Sequence, residues 1–169
     1  MRVAFVCAID EDSQGVELTV RIDGDNAYAH ICLGHDDETD AIYNVFVHMP
    51  PYLPRPNGRD IHFSIVETVI EDGEELVYEY RDGQETRFLD ATARRIALWC
   101  VVTATNALAL QLQPDTIVMT TITENLPKKA LDKYWTICRE LRDVGYDGRR
   151  DSPFLGTQIW IMSRITDET

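Results

Sequence analysis

The chain has little that would announce a chemistry. It has no C-x-x-C pair, so the spacing that zinc sites and dithiol redox motifs use is missing, and its four cysteines stand far apart at 7, 32, 100 and 138. Two fall in expected strands and two in expected helices, where a thiol is usually a small buried hydrophobe. Reduced core cysteines, and with them a cytoplasmic protein, are the expectation. Neither a G-x-x-x-x-G-K-[ST] nor a G-x-G-x-x-G run occurs, which removes the glycine turns that cradle phosphates. Without a G-x-S-x-G elbow, no local signature fixes a nucleophile next to His48 or His62. No uninterrupted run approaches the ~18 apolar residues of a membrane span. The first residues, MRVAFVCAIDEDSQG, meet acidic side chains where a signal peptide needs small residues and a cleavage site.

Positive charge is also scarce, and unevenly so. The net charge is −13, yet residues 1–90 hold 20 acidic and 6 basic side chains while residues 91–169 hold 9 and 10. The whole imbalance therefore sits in the N-terminal half. Such a field disfavours nucleic acid and anionic membrane at the acidic surface and favours a basic protein partner.

What is present is a soluble-type balance of 44% hydrophobic and 27% charged residues over 169, enough for one domain. Hydrophobic patterning predicts strands at 2–9, 16–22 and 27–33, with Asp23-Gly24 as a hairpin turn, while the apolar segment 41–49 suits strand or helix and is read as strand for its tyrosine, valines and phenylalanine. Pro50, Pro51, Pro54 and Pro56 make 50–58 a loop, read as a joint between a β meander over 1–49 and a ββ-α-β-α-β layer over 60–165. Strands follow at 61–70 and 75–81 around Glu71-Asp72-Gly73-Glu74, with further extended chain at 86–89.

The period then changes from 2 to 3.6. Asp90 to Gln111 reads as a helix of about 33 Å, apolar almost all round from Ile96, capped by Asp90 and stopped by Pro114. Trp99, Cys100 and Asn106 read as core positions. Residues 115–122 form a strand, Asn125 caps a helix over 126–144, Gly145 ends it, 146–153 is a polar loop, and 156–165 is a strand inside the sheet. The expected architecture is α+β, a mainly antiparallel or mixed sheet with two helices on one face and a β-rich N-terminal half.

The order of hairpin, apolar helix, P-D-x-I strand (Pro114, Asp115, Ile117), basic helix with Lys133-Tyr134, Gly145-Tyr146 and a closing strand resembles a loose class of small phage and bacterial proteins. The likeness spans residues 61–165. It implies the same α+β fold and a mobile-element origin, and it transfers no residue role.

Three constellations are candidates for function. His30, Cys32 and His35 precede carboxylates, but their spacing fits no metal motif, so neither metal nor cofactor is expected. Lys128, Lys129, Lys133, Arg139, Arg142, Arg149 and Arg150, with Tyr134, Trp135 and Tyr146 among them, are candidate phosphate contacts and stacking partners. Interleaved acids at 132, 140, 143, 147 and 151 can neutralise them, as Lys129 with Asp132 or Arg139 with Asp143 at helical spacing. The acidic loops Asp10-Glu11-Asp12, Asp36-Asp37-Glu38 with Asp40, and Glu71-Asp72 with Glu74-Glu75 are candidate contacts for a basic protein. The expected role is non-enzymatic interaction, with a nucleic-acid or nucleotide-binding protein or enzyme using the basic segment 128–150 as the alternative.

Overall fold

The computed structural model describes residues 4–121 and 126–166. In chain order these form β1 (Phe5–Cys7), β2 (Thr19–Asp23), β3 (Asn26–Asp36), β4 (Ile42–His48), β5 (Gly58–Asp60), β6 (His62–Glu71), β7 (Glu74–Tyr80), α1 (Ala91–Leu112), β8 (Thr116–Thr120), α2 (Lys128–Glu140), β9 (Tyr146–Arg150) and β10 (Ile159–Arg164). The fold is α+β with mostly antiparallel strands. They divide between two sheets where the sequence suggests one.

The large sheet runs β1-β3-β4-β6-β7, and β2 shares the β1 edge of β3. That sharing is possible because β3 is 11 residues long: β2 pairs its start and β1 its end. The small sheet runs β5-β8-β10-β9, with β5 parallel to β8 and the rest antiparallel. As its two-sided apolar pattern suggests, β10 is an interior strand.

The proline segment carries the chain from the large sheet to the small one, but the strands that follow it do not stay in one layer. Tyr52 N–H bonds the Gly58 carbonyl (2.8 Å) and Asp60 N–H that of Pro50 (2.9 Å), so the chain doubles back and delivers β5 to the small sheet. It then returns to the large sheet as β6, which puts residues 62–80 with the N-terminal strands. Residues 86–89 form a turn rather than a strand, because the Arg94 guanidinium gathers the carbonyls of Gly83, Thr86 and Leu89. Likewise 146–150 is a strand and not a loop. Its anchor is buried Tyr146, whose hydroxyl donates to the Pro114 carbonyl at 2.8 Å.

Helix α1 has the expected ends. Asp90 accepts from Ala93 N–H at 2.7 Å, and Gln113 turns left-handed at φ 47° before Pro114. By length and composition α1 would suit a membrane span, yet its stripe Ile96, Cys100, Val101, Ala104 and Leu108 is buried against β3 and β4, with α2 on another side. Cys100 is core as expected. Trp99 is 38% exposed, and Asn106 is half-buried, its amide reaching the Glu140 carbonyl. The second helix begins at Lys128 behind Pro127, and the expected Asn125 cap lies outside the described residues. Its last turn tightens to a 3-10 turn over Leu141–Val144, ended by Gly145 at φ 95°.

Buried residues of both sheets and both helices form one contiguous core. Tyr134 of α2 stacks on Trp160 of β10 (5.0 Å, 6°), and Phe63 of β6 meets Tyr134 (5.7 Å), so α2 bridges the two sheets. A second aromatic group, Phe5, Tyr43, Tyr80 and Phe88, closes the other end.

At Gly34 a bulge in β3 brings β1 so close that a methyl group would overlap the Val6 carbonyl oxygen and the Phe5 ring edge. Gly34→Ala is therefore expected to push β1 off the sheet and lower stability by about 1–3 kcal/mol, read from urea unfolding. An unchanged midpoint would show that β1 contributes nothing there.

Candidate functional site

Strand alternation gives the large sheet two unlike faces. One carries Ala27, Ala29, Ile31, Leu33, Tyr43, Val45, Val47, Ile65 and Val69 into the core beneath α1. On the other, register places Tyr28 opposite His48 and His48 opposite His62; His30 opposite Phe46; and His35 opposite Ile42, followed by Thr68 and Val77. All four histidines of the chain lie on this second face, and neither helix covers it.

The face has two ends of different chemistry. At one, Ile42, Ile70 and Val77 are 49%, 65% and 59% exposed, an aliphatic patch in the rows nearest two turns. Those turns, Asp36–Ala41 between β3 and β4 and Glu71–Glu74 between β6 and β7, sit at one end because alternate turns of a meander do. Asp72 and Gly73 both take positive φ, as a two-residue hairpin requires. Neither turn contains a lysine or arginine.

The acidic residues nominated by sequence divide sharply. Asp37, Glu38, Asp40, Glu71, Asp72, Glu74 and Glu75 are exposed around the aliphatic patch. Asp36 instead is buried: its carboxylate accepts from the backbone N–H of Glu38 (2.7 Å), Thr39 (3.0 Å) and Ala4 (3.2 Å). The Glu38 bond leads in holding its pKa below the ordinary 3.8, against the opposing effect of burial. Its charge shapes the turn and joins it to the N-terminal strand. Asp10, Glu11 and Asp12 lie apart from both turns, beside α1, where Glu11 pairs with Arg95 at 2.6 Å.

At the other end, His48 stacks on Tyr28 (4.5 Å, 9°) and its Nε2–H donates to Asn26 Oδ1 at 3.0 Å. His62 lies 6.1 Å away, and Ser64, Glu79 and Arg81 complete a shallow recess. Within it Glu79 holds Arg81 at 2.6 Å. No hydrogen bond joins a serine or cysteine to a histidine among the described residues, so the nucleophile-and-base contact of hydrolases is not assembled here. Burial pushes the thiols of Cys100 and Cys138 up to about 12, which makes them poor nucleophiles. Cys32, expected in the core, is exposed because it falls on the open face. His30 stacks on Phe46 and His35 pairs with Asp37 at 3.0 Å; no group of three His, Cys, Asp or Glu close enough to hold a metal occurs among the described residues.

The basic segment does not form one surface. Arg149 and Arg150 are neighbours in β9 and so point to opposite faces; Arg150 lies over Trp160 and bonds Gln158, while Arg149 is 3.9 Å from Asp151. Lys128, Lys129 and Arg139 are exposed on α2, and Lys133 turns inward. Arg142 pairs with Asp147 at 3.7 Å, in place of the helical pairs expected of Lys129 and Arg139. The aromatic residues among them belong to the core: Tyr134 and Tyr146 are buried, and Trp135 packs edge-on against Trp160 (6.3 Å, 88°).

No protein-family model, curated protein or solved structure matches this chain.

Sequence reasoning did not find the aliphatic patch, although a signal was there. Segment 41–49 is apolar at both parities, and a strand apolar on both sides is either covered twice or sticky on one side.

Burial, and next the proximity of His62, holds the His48 pKa below 6.5. The fold therefore favours neutral His48, and the unfolded chain takes up the proton first as pH falls. Stability is expected to be full above pH 6.5 and to decline as pH drops through 6.5 toward the lowered value. His48→Gln should flatten this slope in urea midpoints measured across that range; an identical slope in the variant would assign the effect elsewhere.

Proposed function

We propose that this chain is a non-enzymatic protein-interaction module that docks a basic partner on the acidic end of its open sheet face. The carrying observation is the adjacency of the exposed aliphatic patch Ile42, Ile70 and Val77 to the two acidic turns. Uncovered apolar side chains on a rigid sheet supply the area that gains from leaving water. The surrounding carboxylates supply direction: they attract a positively charged surface and repel acidic ones. A partner that complements both parts presents lysines and arginines around apolar side chains.

A modulator of mobile-element origin, acting in the cytoplasm on the nucleic-acid-binding surface of a host protein, fits this charge and the resemblance in residues 61–165. Contact with nucleic acid through residues 128–150 is the weaker reading, since those cations face different ways.

The test separates charge from apolar area. Capture of basic host proteins is compared for the unaltered chain, for Glu71→Lys with Glu74→Lys, and for Ile42→Asp with Val77→Asp, the fold of each being checked by thermal melting. Both pairs are expected to lower recovery of the same basic protein roughly tenfold, the value of about 1.4 kcal/mol. Equal recovery by all three proteins would remove the reading.

A further inference from the structure

A second concave site lies behind the large sheet, on its core side and away from the open face. Between α1, strands β6 and β7 and the 82–89 turn is a recess of about 160 Å³. Its walls are apolar: Val45, Phe63, Ile65, Ala97, Leu98 and Val101. Its rim is cationic, with Arg81, Arg94 and Lys133 against one carboxylate, Asp82.

The hydrogen bonds show which of these charges are committed. Arg94 gives its donors to the carbonyls of Leu89, Gly83 and Thr86, and so builds the turn that forms one wall. Asp82 caps the same turn, accepting from the N–H groups of Gln84 (2.7 Å) and Glu85 (2.8 Å). Arg81 is held by Glu79. Lys133 has no hydrogen-bond or ion-pair partner among the described residues; its ammonium lies 5.5 Å from the centre of the Tyr134 ring. It is half-buried, and burial lowers its pKa, with Arg94 adding to that and Asp82 opposing it. An ammonium half drawn from water with no anion hydrogen-bonded to it gains from one that arrives.

We infer that this recess is a binding site for a small monocarboxylate with an apolar body, the body seated among Val45, Ile65, Leu98 and Val101 and the carboxylate on the Lys133 ammonium. Size sets the body: an apolar cavity of roughly 150 Å³ takes a single benzene-sized ring. Nucleotides and drug-sized ligands need roughly twice that volume or more. Charge sets the head group, since Lys133 is the rim cation without a hydrogen-bond or ion-pair partner among the described residues and Asp82 turns its Oδ1 onto the N–H groups of its own turn. The inference does not depend on the docking reading, which concerns the opposite face.

The experiment titrates the intact chain with 4-fluorobenzoate and, separately, with neutral 4-fluorobenzamide, following ligand fluorine and protein methyl resonances. Benzoate is expected to shift the methyl signals of Val45, Ile65, Leu98 and Val101, and to bind roughly tenfold more tightly than the amide. Lys133→Met, which keeps the stem and removes the charge, is expected to erase that preference while leaving the amide's weak binding unchanged. Equal affinity for the two ligands in the unaltered chain overturns the assignment of the carboxylate to Lys133. Methyl shifts elsewhere, or none, overturn the site itself, and both readouts stand whether or not the variant folds.

Discussion

A helix that is apolar on nearly every side has to be covered on more than one. That requirement, set by α1, explains the arrangement of everything else. Residues Ile96, Val101 and Leu108 are buried, each worth about 1.5–3 kcal/mol when removed from water. One cover is the face of β3 and β4; the other comes from α2 and the 3-10 turn that follows it. A second sheet is then needed because α2 has its own apolar side. Tyr134, Ile137 and Cys138 are buried, Tyr134 against Trp160 of β10, and the Cys138 thiol reaches Met162 of the same strand. Both helices are used up in the interior, so neither is left to cover the far face of the large sheet.

Negative charge in this molecule has two roles that composition cannot separate. Asp36 and Asp90 each turn their carboxylates onto backbone N–H groups, one to shape the β3–β4 turn and one to start α1. Asp82 does the same for the 82–89 turn. These acids are spent on main-chain geometry, where a missing acceptor would leave donors unpaired. Those at 37, 38, 40 and 71–75 bond little of the chain and project a field into solvent. Edge strand β7 belongs to the second group: Glu74, Glu75 and Glu79 discourage another strand from adding to it.

The amino-acid sequence made the long elements legible because their signals are local. Asp90, the unbroken 3.6 period and Pro114 define α1 without reference to anything distant, and Asp72-Gly73 defines a hairpin. What stayed hidden depends on partners far along the chain. A three-residue β5 has no pattern of its own and is a strand because β8 lies beside it. The polar strand β9 is held by β10 and by the Tyr146 bond to Pro114, 32 residues away. Residues 86–89 have strand-like composition, and it is Arg94 on the next element that bends them. The candidate sites follow the same rule. Acidic loops are visible in a sequence, whereas the parity that gathers Ile42, Ile70 and Val77 on one face, or points Lys133 into a recess, is decided by strand register and helix packing.

The two proposed surfaces lie on opposite faces of the large sheet. Along β6, Phe63 and Ile65 face the recess while His62 and Val66 face outward, and Ser64 and Arg81 border both the recess and the shallow hollow beside His48. Glu79 holds Arg81 on that shared border. A ligand seated at Lys133 would lie beside this pair, which stands on the sheet whose far end carries Ile70, Val77 and the Glu71–Glu74 turn. Coupling between two sites is reciprocal in binding free energy, so whatever a bound acid did to docking, docking would do to the acid. The size of that coupling rests on how rigidly β6 and β7 move together, and the continuous pairing from Ile65–Tyr80 to Glu71–Glu74 makes them a single stiff element.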